Sequence, residues 1–471
     1  MAHGRLHIGW AHGDITPPRK TFLLGQFHTR IADTARSPLT ATALALEVKA
    51  AGSVEQAVML SCDLVHDAFK TALLKALDGR CPDLDHSKLT VNCTHTHTAP
   101  AMERGMYDEP EDDPDFMRPD EYLEWLAQQL ADIVESAWGS RQPGSISRGF
   151  GYAVVGRCRR ATYADGSSLM YGNTNRDDFM GFESCDDHAV NMLFTRESTG
   201  ELTGMVVNLA CPSQCHENLE VFHSDYWHPV RERVADRYGA DVHVLPQCAP
   251  AGDLSPHLLA DHKEEADLRA RMGVDDIGIV THRLMAAIEE GFEYASPPED
   301  EVDLTHEVST LRLPRLMVTE AQYELEKRVH KMSDEERAQQ AYGFQRIWPF
   351  GLVADLIKRY EQQADNPLYA IESHVIRLGD VVFATNPFEL YVDYGTRIRC
   401  RSRALQTFLI QLADGSGLGC YLPTQRAIDA GHYSALIKSN WVGPEAGQML
   451  VDKTVATINR LFGEEEYART R

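Results

Sequence analysis

Apolar and polar positions along the first hundred residues alternate in a pattern typical of a mixed α/β protein. Leu44 to Val48, Ala57 to Leu60 and Lys88 to Cys93 are short apolar runs that predict strands. Between the second and third runs, His66 to Leu77 has apolar residues at helical spacing. Strand, helix and strand in this order form a βαβ unit. The pattern therefore predicts an α/β fold with a mixed β-sheet core and surrounding helices.

The same kinds of pattern continue through the rest of the chain. Further strands are predicted at Val190 to Phe194, Gly204 to Leu209, Val242 to Pro246, Val375 to Thr385 and Thr407 to Leu412, and helices at Glu121 to Trp138, Asp261 to Gly291 and Glu320 to Gln340. Met102 to Asp120 has no periodicity and is rich in Asp, Glu, Pro and Met, which predicts an acidic loop that is either a lid or a solvated excursion. No internal repeat is evident, and the length allows two or three domains or one large one, with 320–365 as a candidate helical insertion. Phe344, Trp348 and Phe350 in that insertion either line a pocket or pack among themselves.

Composition narrows the class of partner. The 471 residues carry a formal net charge of −24, which disfavours nucleic acid and anionic membrane surfaces. No apolar run reaches the length of about 18 residues that a membrane span needs, and the first ten residues lack the apolar stretch of a secretory signal. We therefore expect a cytoplasmic protein that acts on a small molecule. The 10 cysteines contain no C-x-x-C pair, which favours buried thiols over disulfides.

Two histidines follow the third predicted strand directly, in the sequence Thr94-His95-Thr96-His97. In an extended chain, residues i and i+2 project to the same side, so the two imidazoles would face one point, as two ligands of a divalent metal do. A strand end that opens into a loop is also where α/β folds place their ligands. The alternative is a pair of ordinary hydrogen-bonded histidines.

Three later segments also carry side chains suited to chemistry. Asn208 to Pro229 holds three histidines, two cysteines and Asp225, although a polar loop whose histidines satisfy backbone groups is the alternative. Ala249 to His257 forms a tight loop that presents the Ser255 hydroxyl, either for chemistry or as a helix cap. Asn386 to Glu389 places a carboxylate just beyond an apolar strand, and such a group ligates metals or moves protons.

Taken together and in this order, the segments resemble the catalytic domain of the neutral/alkaline non-lysosomal ceramidase family. The family's T-H-T-H-S-G-P motif is similar to Thr94 to Pro100, its G-D-x-S-P motif to Gly252 to Pro256, and its G-E-F-T segment to Phe388 to Leu390. Weaker matches are Ile8 to Trp10, Gly13 to Pro17, Asn175-Arg176, Tyr421 within Cys420 to Thr424, and Gly443-Pro444. The resemblance therefore spans nearly the whole chain and implies a single large ceramidase-like catalytic domain, residues 1–471.

The resemblance also implies one zinc ion per chain, held by two histidines, a glutamate and a tyrosine. Carried over, His95 is the first histidine, Glu389 the glutamate and Tyr421 the tyrosine. His97 and Arg176 resemble residues that contact the substrate or the water on the metal, and Ser255 resembles the serine beside the scissile amide.

Two features depart from the family pattern. Where the family places its second histidine ligand, this chain has Ala210-Cys211-Pro212. Thiolate is a good zinc ligand, so we expect either Cys211 or a nearby histidine to replace it, and loss of the metal is the remaining alternative. The candidate histidines are His66, His216, His223 and His228. The chain also lacks a counterpart of the signal peptide and C-terminal β-domain of secreted ceramidases, so we expect a water-soluble amide or ester in place of ceramide.

The sequence thus predicts a zinc-dependent hydrolase that cleaves an amide or ester bond of a small soluble substrate with metal-activated water. In this hypothesis His97 shuttles protons, Arg176 holds a polar or anionic substrate group and Ser255 orients the substrate. The alternatives are a metal-dependent lyase or isomerase acting on a sugar-like compound, and a non-catalytic binding protein of the same fold. Manganese and iron are the alternatives to zinc, and the oligomeric state is left open.

Overall fold

The computed structural model describes residues 2–26, 28–50, 52–107, 109–110, 113–332, 356–415 and 420–467. Its strands are β1 (Ala2–Asp14), β2 (Thr21–Phe22), β3 (Ile31–Ala32), β4 (Thr40–Ala50), β5 (Ser53–Cys62), β6 (Leu89–Cys93), β7 (Gln142–Tyr152), β8 (Arg157–Cys158), β9 (Arg160–Tyr163), β10 (Ser168–Met170), β11 (Phe179–Phe182), β12 (Ala189–Glu197), β13 (Leu202–Leu209), β14 (His243–Cys248), β15 (Leu254–Ser255), β16 (Glu301–Pro314), β17 (Leu368–Leu378), β18 (Val381–Thr385), β19 (Glu389–Leu390), β20 (Gln406–Ile410) and β21 (Tyr421–Leu422). Its α-helices are α1 (Lys70–Ala76), α2 (Pro119–Gly139), α3 (Trp227–Tyr238), α4 (His262–Met272), α5 (Asp276–Glu293), α6 (Glu320–His330), α7 (Leu356–Gln362), α8 (Val392–Arg401), α9 (Gln425–Ala430) and α10 (Pro444–Tyr467). Short 3-10 turns lie at His86–Lys88, Tyr433–Ala435 and Ile437–Ser439.

One mixed sheet of 12 strands organises the described residues. Its main path runs β14-β13-β12-β7-β1-β16-β17-β18-β20, and β4, β5 and β6 branch from β1. Most neighbours are antiparallel, whereas β5 with β6, β13 with β14, and β18 with β20 are parallel. Helix α2 packs on β1 and β4, α5 on β7 and β12, and α10 on β16 and β17. The predicted α/β architecture, with a mixed sheet and surrounding helices, is confirmed.

The predicted βαβ unit is present as β5, α1 and β6, with the two strands parallel. The helix is shorter than predicted and begins at Lys70, because the residues before it form the hydrogen bonds of a loop. The Nδ1 atom of His66 accepts a hydrogen bond from the Ala68 amide, and the Asp67 carboxylate accepts one from the Gly415 amide. Cys62 and Cys93 are register partners at the ends of the two strands, so the loops that follow leave the sheet at the same edge.

Two predictions about the elements are wrong. The stretch predicted as one helix over 261–291 is two, since Gly273 ends α4 in the left-handed conformation and the Asp275 side chain caps α5. The acidic segment Met102 to Asp120 is not a solvated excursion in its described part. Its apolar residues are buried in the core cluster that α2 covers, which also argues against a free lid: Met102, Met106, Tyr107, Phe116 and Met117.

The division into domains stays a prediction. Helices α6 and α7 lie inside the predicted insertion 320–365, while residues 333–355, which include Phe344, Trp348 and Phe350, lie outside the described residues. None of the helices in the described ranges is long and apolar enough to cross a membrane.

Candidate active site

The candidate site lies where loops leave the ends of several strands of the large sheet. His95 and His97 follow β6, Glu217 follows β13, and Ser255 belongs to the short strand after β14. Glu389 follows β18, and its strand β19 pairs with β21 so that Glu389 and Tyr421 are register partners. The sheet topology thus carries five residues predicted from separate motifs to one region, together with Glu217: His95, His97, Ser255, Glu389 and Tyr421.

His95 owes its orientation to a left-handed turn. Strand β6 ends at Cys93 and His95 has a φ of 64°, so the predicted alternation of an extended chain does not apply here. The His95 amide donates to the Leu64 carbonyl at 2.9 Å, and its Nδ1 lies 2.8 Å from the Val65 carbonyl oxygen. Because a carbonyl oxygen only accepts, Nδ1 bears the proton and the Nε2 lone pair is left to face His97 and Glu389.

His97 faces His95 across a short gap. The Nε2 atoms of the two rings are 3.4 Å apart. The Gln214 amide nitrogen also lies 2.7 Å from His97 Nε2, and a Glu217 carboxylate oxygen lies 3.0 Å from His97 Nδ1. Burial lowers the pKa of His97 below its ordinary value, against the opposing effect of Glu217. Gly25, with a φ of 105°, lies so close that an added Cβ would sit 2.4 Å from the His97 ring.

Glu389 supplies a buried carboxylate to the same region. One of its oxygens lies 3.6 Å from His95 Nε2 and 3.5 Å from Nη2 of Arg159. Burial by itself works to raise the pKa of Glu389, but the effects of His95 and Arg159 hold it below its ordinary value. The carboxylate is therefore ionised at neutral pH.

Arg159 connects this carboxylate to a tyrosine. Its guanidinium donates to the Gly252 carbonyl at 2.8 Å and to the Tyr171 hydroxyl at 2.9 Å. The Tyr171 hydroxyl in turn donates to Ser255 Oγ at 3.4 Å. Tyr171 has a φ of 54°, which is uncommon for a bulky residue, and such backbone strain clusters at functional sites.

The remaining contacts close the arrangement. The His257 amide donates to Ser255 Oγ at 3.1 Å, and His257 Nε2 lies 3.1 Å from a carboxylate oxygen of Glu217. Polar contacts of 2.9–3.6 Å therefore join these residues in a closed ring: His95, Glu389, Arg159, Tyr171, Ser255, His257, Glu217 and His97.

The structure places Ser255 and Arg176 differently from the sequence-based roles. Ser255 is fully buried, so its hydroxyl contacts Tyr171 and the His257 amide and holds them in place. Arg176 forms an exposed ion pair with Asp178 and lies over the Tyr163 ring. The arginine beside Glu389 is Arg159. Tyr421 is adjacent to Glu389, as predicted, and burial raises the pKa of its phenol well above the ordinary value.

Cys211 is buried among apolar side chains that include Tyr226 and Trp227. Its thiol lies 3.6 Å from the Pro212 carbonyl oxygen, and burial raises its pKa well above the ordinary value. A thiol kept protonated in an apolar cluster is a poor metal ligand. Its placement therefore argues against the predicted thiolate replacement.

The four candidate histidines also differ in their surroundings. His216 lies 3.8 Å from Asp275, His228 lies 3.4 Å from Glu232, and His223 Nδ1 lies 2.7 Å from Ser37 Oγ. In contrast, burial lowers the pKa of His66 to about 3, and the electrostatic effect of the neighbouring His95 adds to this. Its Nε2 atom is buried without a hydrogen-bond partner in the described residues.

A second group of metal-ligand side chains lies outside the ring. The ligand atoms of Glu372, His374 and Asp414 are all within 4.8 Å of one another. The Lys70 ammonium lies among them, 2.5 Å from Glu372, 2.6 Å from Asp414 and 3.5 Å from His374. On its far side, the His374 ring lies 2.8 Å from that of His306. The positive charge in this group is therefore supplied by Lys70, a side chain of the protein itself.

No family model and no curated protein matches the sequence. Solved structures do match: a ceramidase complexed with C2 has a TM-score of 0.66 at 17% identity, covering 97% of this chain and 76% of that chain. The chain has the neutral ceramidase fold. The neutral ceramidase from Pseudomonas aeruginosa gives the same TM-score at 16% identity, covering 97% of this chain and 75% of that chain. The predicted ceramidase-like fold is thus confirmed, and the activity has to be argued from the site.

Sequence reasoning missed Arg159, Tyr171, Glu217 and His257. Glu217 and His257 belong to the two segments that were singled out for their ligand-type residues, but nothing in those segments distinguishes them from their neighbours. Arg159 lies in a short run of arginines, and its neighbour Arg160 is buried against Glu183 instead. No local signal marks Tyr171.

Proposed function

We propose that this protein is a divalent-cation-dependent hydrolase that cleaves an amide or ester bond of a small polar substrate. One observation supports this above the rest: His95 Nε2 lies close both to the His97 imidazole and to the carboxylate of Glu389. The distances from His95 Nε2 are 3.4 Å to His97 Nε2 and 3.6 Å to Glu389. Electron-pair donors held this close in a buried site need a positive partner.

The spacing of the two imidazole nitrogens fits zinc. Two nitrogen ligands of a tetrahedral zinc ion, each about 2.0–2.1 Å from the metal, lie about 3.3–3.4 Å apart. The two imidazole nitrogens here are separated by 3.4 Å. His95, His97 and Glu389 would hold the ion, and Tyr421 lies beside Glu389 as a further oxygen ligand. When bound, such a cation supplies Lewis acidity, which acidifies water and polarises a carbonyl group.

The chain's own residues prepare the substrate side of the site. Arg159 donates to the Tyr171 hydroxyl and fixes its ring at the opening, where 37% of Tyr171 is exposed. We assign to these two residues the substrate-holding role that was predicted for Arg176. His97 holds its proton at Nδ1 against Glu217, and His257 continues this line of polar groups toward solvent. A polar opening of this kind favours a water-soluble substrate over a lipid, and a cytoplasmic location stays a prediction.

Metal analysis of the purified protein tests the proposal. We expect about one zinc or similar cation per chain, lost in His95→Ala and retained in His28→Ala, a matched control at an exposed histidine. Equal metal content in the His95→Ala variant, or no uptake by the native protein from zinc or manganese solutions, would contradict it.

The reaction class has its own test. Incubation with a panel of small amides and esters in oxygen-18 water, followed by mass spectrometry, distinguishes hydrolysis from the alternatives. Hydrolysis places the label in the carboxylate product, whereas the elimination or isomerisation expected of a lyase or isomerase does not require it.

A further inference from the structure

Glu217 lies between two imidazole rings. Its two carboxylate oxygens are 3.0 Å from His97 Nδ1 and 3.1 Å from His257 Nε2. The His97 N–H is not aimed directly at the oxygen, but the distance decides the protonation, because a nitrogen lone pair and a carboxylate oxygen at 3.0 Å would repel each other. Both nitrogens that face Glu217 therefore bear protons.

The other side of the His97 ring agrees with this assignment. The Gln214 amide nitrogen lies 2.7 Å from His97 Nε2 and donates to it, which requires a lone pair there. The Gln214 side-chain oxygen is buried without a partner in the described residues. The two contacts indicate one tautomer of His97, with its proton on Nδ1 and its lone pair on Nε2, where a bound cation would take the place of the Gln214 amide.

A buried arginine fixes the backbone of the same pair. Only 1% of Arg30 is exposed, and its guanidinium donates to the carbonyl oxygens of Glu217 at 2.7 Å and His97 at 2.6 Å. The same group also donates to the carbonyls of Leu24 and Leu219. The rigid guanidinium thereby ties together the two loops from which His97 and Glu217 project.

We propose that Glu217, supported by Arg30 and His257, is the positioning residue that presents the His97 Nε2 lone pair to the cation. His97 then acts as the second imidazole ligand, in place of the histidine that the Ala210-Cys211-Pro212 segment lacks. Metal-binding histidines generally donate their other N–H to a carboxylate or carbonyl, and removal of that acceptor weakens metal binding. This inference rests on the proposed function, because it requires a cation at the site.

A Co²⁺ titration of the metal-free full chain tests the proposal without a substrate. Visible absorption bands of the bound ion report both affinity and geometry. We expect Glu217→Gln to bind Co²⁺ about 10- to 100-fold more weakly than the native chain, with altered bands. Glu220→Gln, a matched control at an exposed residue of the same loop, is expected to bind like the native chain. Circular dichroism confirms that each variant is folded.

The outcomes separate the two proposals. If the native chain binds Co²⁺ and Glu217→Gln binds it with equal affinity and the same bands, Glu217 is not the positioning residue and the proposed function stands. If the native chain binds no Co²⁺, the proposed function is overturned and this inference with it.

A second measurement needs no variant, so a misfolded Glu217→Gln chain does not prevent the test. Nitrogen-15 NMR of labelled histidine in the native, metal-free protein reports which ring nitrogen of each histidine bears the proton. His97, assigned by comparison with His97→Gln, is expected to be protonated at Nδ1. A neutral ring protonated at Nε2 would overturn the proposal.

Discussion

Two groups of histidines and carboxylates lie in this protein, both buried except for the partly exposed Glu372, and they differ in where their positive charge comes from. At Glu372, His374 and Asp414, the Lys70 ammonium lies among the ligand atoms at 2.5–3.5 Å. At His95, His97 and Glu389, Arg159 contacts Glu389 at 3.5 Å while its other hydrogen bonds go to Gly252 and Tyr171, and Arg30 donates to the backbone carbonyl of His97. The first group is complete without an ion, whereas the second brings the His95 Nε2 lone pair within 3.4 Å of His97 Nε2 and 3.6 Å of the Glu389 carboxylate.

The comparison shows that a dense group of ligand-type residues does not by itself indicate a metal site. Buried carboxylates need a positive partner, and a lysine meets that need as well as a metal ion does. The group that best satisfies the spacing of a metal site is therefore not the one that we assign to catalysis.

The largest expected effect is that of Lys70→Ala. Removal of the ammonium leaves Asp414 and Glu372 close together without their cation, and we expect the free energy of unfolding to fall by about 3–5 kcal/mol. Urea unfolding measures it, with the exposed Lys75→Ala on the same helix as the control. Added Zn²⁺ should restore part of the lost stability in Lys70→Ala alone, since three ligand atoms remain within 4.8 Å. A variant as stable as the native chain would show that Lys70 does not neutralise this group.

A smaller effect is expected at the other group, from Gly25→Ala. The new Cβ would lie 2.4 Å from the His97 ring, and the φ of 105° is unfavourable for alanine. We expect a loss of about 1–3 kcal/mol in unfolding free energy, together with weaker Co²⁺ binding because the ring has to move. Gly79→Ala is the matched control, since Gly79 also has a positive φ of 77° but has no atom within 4 Å of an added Cβ. Unchanged Co²⁺ binding in Gly25→Ala would separate His97 from the cation.

The smallest expected effect is the loss of unfolding free energy at acid pH. Burial works to raise the pKa of Asp414, but His374 and Lys70 outweigh it and lower the pKa from 3.8 to about 2. A depressed folded-state pKa stabilises the protein above pH 3.8, and this contribution of about 2 kcal/mol is lost as the pH falls toward 2. Urea unfolding at each pH measures the difference in unfolding free energy between the native chain and Asp414→Asn. We expect this difference to become smaller as the pH falls from 5 to 2. A constant difference would contradict the assignment.

The sequence predicted those parts of the fold that local patterns determine. The hairpin of β12 and β13, helix α2, and the parallel strands β5 and β6 lie close to their predicted positions because each is encoded by its own apolar periodicity. The placement of His95, His97 and Glu389 in one site came from the resemblance to a family, and their contacts support it. The roles assigned to these residues stay predictions.

The remaining features depend on contacts between residues far apart along the chain. Arg159 and Arg176 are equivalent as sequence signals, and only the packing of the β8 segment against Gly252 brings Arg159 to Glu389. Cys211 lies three residues before Gln214, yet its thiol faces the apolar cluster while Gln214 faces His97. Side-chain direction in a loop has no period from which to predict it. Lys70 likewise acquires its partners only when β17 and the Asp414 loop pack against α1.

The central place of β1 in the sheet has a consequence for how the protein is made. Its residues Leu6 to Asp14 pair with β4, which is synthesised within the first 50 residues. Its residues Ala2 to Arg5 pair with β16, which begins only at Glu301. Pairings that distant form slowly, and an unpaired strand edge is a template for association with other chains. Strand β1 is synthesised well before β16 and is therefore among the last strands to be completed, so a nascent chain that ends before β16 is where a chaperone would be needed most.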